Sequence, residues 1–148
     1  EKATQTESGA DSSLTWANLG DAYRWTPDNE ERARESYGRA LRLLAPKLEA
    51  APSDWTLVSR RALYLAKSGE CADALAAVEE LPTEAAAAAR YRAAVALEAC
   101  GRREGALAAL EAALGAGYPF SEAESNPELL ELRRDLRFDR LASRFKEG

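Results

Sequence analysis

Arg60 and Arg92 stand 32 residues apart, and the residues around them recur at the same interval. Guanidinium groups donate paired hydrogen bonds to carboxylates and phosphates, so two of them stacked on one surface form a candidate anion anchor. Asp21, Arg24, Ser59 and Tyr91 are expected on or beside the same face, which suggests a groove for an acidic or C-terminal peptide. The competing reading is that these arginines are solvated or paired with carboxylates of their own chain. Composition excludes much other chemistry. The chain has no histidine, so neither a Ser-His-Asp nor a Cys-His arrangement can be built within it. Glu30-Glu31 and Glu79-Glu80 are adjacent carboxylates, but neighbours on a helix point to different faces and do not flank one substrate. Neither of the glycine-rich phosphate-binding patterns occurs. No catalytic, cofactor-binding or metal-binding residue follows, and the expectation is not an enzyme. Cys71 and Cys100 are too few for a four-ligand metal site. A disulfide between them is geometrically conceivable, but the simpler expectation is two small buried thiols in helix packing.

The elements that must position these residues are helices. Alanine is very abundant, Gly and Pro are few, and β-branched residues are scarce, which together favour an all-α chain. Trp16, Leu19, Gly20 and Tyr23 fall at i, i+3, i+4 and i+7, one face of a helix. Gly20 costs helix propensity, and close approach of a second helix is the physical reason to place it there. The net charge of −5 argues against general nucleic-acid binding and against an anionic membrane surface. No apolar run approaches the roughly 20 residues needed to cross a bilayer. The chain starts on Glu1 rather than Met, as expected of a processed form or a part of a larger protein.

Residues 1–12 are polar and aperiodic, so a linker or disordered end is expected there. A first helix should run from Leu14 to Trp25, with Asp28 as N-cap of the next. Pro46 should kink or break that second helix near Leu44. Ala62, Leu65, Gly69, Ala74 and Val78 then recur, 32 residues on, as Ala94, Leu97, Gly101, Ala106 and Leu110. Each unit reads as helix, Gly stop, helix: 54–68 and 71–81, then 84–100 and 103–115, with Thr83 as an N-cap. The repeating part divides at about 13–52, 53–83 and 84–117. Residues 118–148 form a C-terminal cap, with a capping box at Ser121–Glu124, an N-cap at Asn126, and short helices at 127–133 and 136–146. Arg133, Arg134, Arg137, Arg140, Arg144 and Lys146 make this tail locally basic, and solvated cap-helix residues account for them better than a lipid or nucleic-acid contact. Trp25 and Trp55 sit at helix ends, where packing is the usual role and exposure would mark a contact surface.

Trp16-Ala17-Asn18-Leu19-Gly20-Asp21-Ala22-Tyr23 resembles the opening helix of a tetratricopeptide repeat, W-x-x-L-G-x-x-Y, and residues 14–115 resemble three such repeats. The fold this implies is a right-handed α-solenoid of three helix pairs plus the helical cap. Leu19–Pro27, together with Gly117-Tyr118, Asn126–Leu129 and Leu136–Phe138, resembles the C-terminal repeat region of bacterial serine/threonine kinases and nucleotide cyclases. That resemblance implies the non-catalytic scaffold or regulatory part of a larger signalling protein. The partner would be a protein or peptide, or another part of the same parent chain. The carboxylate clamp of chaperone-tail-binding repeats does not carry over, because Ala17, Asp21 and Arg60 occupy the places of its Lys and two Asn. The alternative is a structural spacer or homo-oligomerisation element, for which Ala85–Ala89 would offer a close-packing outer surface. A cytoplasmic location is the default expectation, and a periplasmic one applies if the parent carries a transmembrane segment.

Overall fold

The computed structural model describes residues 9–146, and among them every regular element is helical. Three helix pairs follow one another: α1 (Gly9–Arg24) with α2 (Glu30–Ala50), α3 (Trp55–Lys67) with α4 (Cys71–Glu80), and α5 (Ala87–Ala99) with α6 (Arg103–Gly115). A cap follows, made of α7 (Phe120–Ser125), two 3-10 turns at Pro127–Leu129 and Leu132–Arg134, and α8 (Leu136–Phe145). Within each pair a short connection folds the chain back on itself. Helix α3 also packs on α2 and α5, and α8 closes against α6.

Local chemistry explains most of the boundaries. Gly69 and Gly101 carry φ of +90° and +76°, the left-handed turn that ends α3 and α5 and that a Cβ would oppose. Asp54 caps α3 by accepting from the Leu57 N–H at 3.3 Å, and Asp135 caps α8 through the Arg137 N–H at 2.9 Å. Gly20 serves close approach: an added Cβ would lie 2.8 Å from the ring of fully buried Tyr37.

Several expected boundaries differ. Helix α1 begins at Gly9, so part of the expected polar end is helical, while residues 1–8 lie outside the described residues. Asn29, not Asp28, precedes α2, and Asp28 adopts a φ of +65° in the turn before it. Pro46 does not break α2, which continues to Ala50. Its ring lies on the exposed side, where the Arg42 carbonyl that loses its partner can face water, and half-buried Leu48 holds the last turn against the core. Helix α5 starts at Ala87 rather than 84: burial of Ala85 carries the chain past Thr83, whose hydroxyl donates to the Glu84 carboxylate instead of capping the helix. Ser121 is not an N-cap. Buried Phe120, stacked on Phe138 at 5.5 Å, draws the helix start to itself after Pro119. The segment at 127–133 forms two 3-10 turns rather than one helix, with Asn126 capping the first through the Glu128 N–H at 2.9 Å.

The core divides into three clusters. Ala17, Ala33, Tyr37, Ala40, Leu44, Leu57 and Tyr64 fill the first pair and its junction with α3. Ala62, Leu65, Ala66, Ala74, Ala77 and Ala96 form the second. The third runs from Tyr91 and Val95 through α6 into Phe120, Leu129, Leu132, Phe138 and Leu141, so the cap shares a core with the last pair. Ala85 and Ala89 are buried at 4% and 2% exposure, which removes them from any outer packing surface.

The cysteines also depart from expectation. Cys71 and Cys100 form a disulfide with Cα atoms 5.7 Å apart. Cys71 opens α4 and Cys100 follows the last residue of α5, and the small residues at that junction let the two ends approach.

Candidate functional site

Helices α1, α3 and α5 carry all six of the candidate residues, and the structure separates these residues into three groups. Arg60 and Arg92 form the first. Arg92 Nη1 donates to Ser59 Oγ at 3.2 Å, and among the described residues neither arginine has a carboxylate within ion-pair distance. The surroundings work against charge on Arg92: burial first, and then the positive charge of Arg60, hold its pKa below the ordinary value. Tyr64 is buried beside both guanidiniums. Burial raises its phenol pKa while Arg60 and Arg92 pull it back. Tyr118 feels the same Arg92 charge. Two half-buried cations thus lie near the Tyr64 phenol with no carboxylate partner among the described residues.

Asp21 and Arg24 form the second group, and both are paired. Asp21 Oδ1 accepts from the Tyr37 hydroxyl at 2.5 Å and from Lys67 Nζ at 2.9 Å. Arg24 donates from Nε and Nη2 to the two carboxylate oxygens of Glu128, the latter at 3.1 Å, and from Nη1 to the Lys67 carbonyl at 2.9 Å. Burial opposes the Arg24 charge, but the hydrogen bond and charge of Glu128 outweigh it and raise the pKa. The Glu128 side chain is 5% exposed and that of Arg24 is 26% exposed. This contact joins α1 to the cap across 104 residues of chain.

Ser59 and Tyr91, the third group, face inward. Ser59 is fully buried, and its hydroxyl donates to the Thr56 carbonyl at 2.9 Å. The Tyr91 hydroxyl donates to the Glu122 carbonyl at 3.2 Å and accepts from Asn126 Nδ2 at 3.0 Å. Its ring stacks on Tyr118 at 4.2 Å, and burial pushes its pKa up to about 12. Tyr91 therefore seats the cap and does not line an open surface.

Sequence reasoning missed Tyr64, Lys67, Tyr118 and Glu128. Tyr64 was accessible, since it lies four residues after Arg60 on one helix face. Nothing in the sequence connects Glu128 with Arg24. The basic tail is largely neutralised. Arg137 reaches Asp135 at 2.9 Å and Glu104 at 3.2 Å, and Arg144 pairs with Glu111. Arg133 donates to the Ala123 and Asn126 carbonyls at 2.8 and 2.7 Å. The side-chain and backbone hydrogen bonds from Arg137 hold the Asp135 carboxyl far below its usual range. Trp25 is 55% exposed beneath the Arg24 guanidinium, whereas Trp55 is half-buried.

Among the described residues no helix is long and apolar enough to cross a membrane, and no group of His, Cys, Asp and Glu is arranged to hold a metal ion. No family model matches the chain, and neither a curated protein nor a solved structure matches it.

Proposed function

We propose that the chain is a protein-interaction module of three tetratricopeptide-type repeats and a helical cap, whose inner face receives an acidic peptide segment anchored on Arg60 and Arg92. The observation that carries this reading is that, among the described residues, the pair has no carboxylate within ion-pair distance. Like charges brought together and half-buried destabilise a fold, and an incoming carboxylate would relieve that cost with charge-assisted hydrogen bonds. The contrast with Arg24 and Arg103, partly buried arginines that each have a carboxylate, supports an external partner for Arg60 and Arg92. Close packing of Gly20 on Tyr37 and the glycine stops at 69 and 101 support the repeat assignment. The module would be the non-catalytic part of a larger bacterial signalling protein, as the resemblance at Leu19–Pro27 implies. The disulfide favours an oxidising compartment over the cytoplasmic default.

The test is fluorescence anisotropy with a fluorescein-labelled pentaglutamate peptide. Binding should weaken with salt, and Arg60→Glu/Arg92→Glu should weaken it by at least about tenfold, about 1.4 kcal/mol. Unchanged affinity in the double variant would refute the anchor. Leu14 and Leu19, exposed on α1, favour a second reading as a self-association element. A monomer mass by light scattering at high concentration would remove it.

A further inference from the structure

Arg24 is held as a carboxylate receptor. Its guanidinium is fixed at Nη1 by the Lys67 carbonyl at the end of α3, which leaves Nε and Nη2 side by side for one bidentate acceptor. The acceptor present is Glu128, delivered by a strap, residues 126–129, that runs from the cap onto the inner helices. Asn126 fastens that strap to Tyr91, Arg133 fastens it through the Asn126 carbonyl, and Leu129 is fully buried. We propose that the Arg24 site is a second carboxylate-binding subsite of the same inner face, filled in cis by Glu128, and that an acidic ligand anchored on Arg60 and Arg92 competes with the strap for it. This rests on the acidic-peptide reading given above.

Two observations support the competition. The two subsites flank one buried tyrosine pair: the Tyr37 hydroxyl is bonded to Asp21, beside Arg24, its ring stacks at 6.5 Å on Tyr64, and Tyr64 lies within the influence of Arg60 and Arg92. Charge is balanced at one subsite and not at the other. Lys67 answers Asp21 and Glu128 answers Arg24, so removing Glu128 would add a third unanswered cation to the surface that holds Arg60 and Arg92. A ligand that meets a site open for only part of the time binds with its affinity reduced by the open fraction.

Glu128→Gln removes the competing charge while keeping an amide oxygen for Arg24. The pentaglutamate peptide should bind this variant about tenfold more tightly than the unmodified protein, and Arg24→Gln added to it should abolish the gain. Equal affinity for the Glu128→Gln and unmodified proteins would overturn the proposal, as would a gain that survives Arg24→Gln. If Arg60→Glu/Arg92→Glu weakens binding while Glu128→Gln changes nothing, the acidic-peptide reading stands and the cis subsite fails. If neither variant alters binding, both fail. Should Glu128→Gln not fold, amide exchange on the unmodified protein decides. Saturating peptide should speed exchange at Glu128, Leu129 and Leu130, whose N–H groups are bonded within the strap, and unchanged exchange there would overturn the proposal.

Discussion

Replacing Gly20 with alanine tests the packing of the first helix pair directly. The new Cβ would stand 2.8 Å from Tyr37 Cε1 and 2.9 Å from Cδ1 and Cζ, against about 3.5–4.0 Å for an ordinary carbon contact. The ring cannot easily yield: Tyr37 is fully buried, and Asp21 holds its hydroxyl. Overpacking of this kind costs about 1–3 kcal/mol, and the better helix propensity of alanine returns about 0.5–1 kcal/mol. Taking the middle of each range, the net loss is about 1 kcal/mol, which for a chain of this length lowers Tm by roughly 2–4 °C. Gly38→Ala is the matched control on α2, because the nearest atom to its Cβ is Arg42 Nη1 at 3.8 Å. There only the propensity term applies, and Tm should rise by about 1–4 °C. Thermal melts followed by circular dichroism measure both. A Gly20→Ala protein as stable as the unmodified one, or two glycine variants shifting the same way, would refute the close-approach account.

The buried phenols predict an alkaline limit. Tyr91 titrates near 10 when unfolded and is pushed up to about 12 in the fold, so its stabilisation is complete below pH 10 and lost as pH rises towards 12, about 3 kcal/mol in all. Burial and Asp21 raise Tyr37 in the same direction. Urea midpoints measured from pH 8 to pH 11 should fall above pH 10, and Tyr91→Phe should flatten that fall; an unchanged slope in the variant would count against the assignment. The disulfide joins residues 29 apart, and restricting a loop of that length is worth about 3–4 kcal/mol. Reduction, or Cys71→Ala/Cys100→Ala, should therefore lower Tm by roughly 6–16 °C, and a melt unaffected by reductant would show that the link adds nothing to stability.

The parts of this architecture that were legible in the sequence are those written in local chemistry. Helix α6 falls at the expected residues because glycines bound it on both sides and its small apolar positions repeat those of α4. The stops at Gly69 and Gly101 follow from backbone conformation alone. Where local and tertiary preferences compete, the tertiary one prevails: Thr83 and Ser121 are good caps in isolation, but the burial of Ala85 and Phe120 sets the chain path past them. At the site, the 32-residue interval between Arg60 and Arg92 was readable in the sequence, and in the fold the two lie close enough for the charge of Arg60 to lower the Arg92 pKa. The pairing of Arg24 was not readable, since no periodicity links α1 with a turn in the cap. Nor was the cysteine pairing, because a spacing of 29 residues does not fix how two helix ends meet.

The Arg24–Glu128 contact also bears on how the molecule comes apart. Helix pairs that touch only their neighbours can fray from either end, losing the outermost pair first while the rest persists. Here a residue of the first helix is clasped by the 126–129 strap of the cap across 104 residues of chain. Neither α1 nor the 126–129 strap can then leave the stack without breaking this contact. Opening becomes a collective event in which α1 and the cap are lost together, and amide exchange in these two regions should share one opening free energy despite their separate hydrophobic clusters.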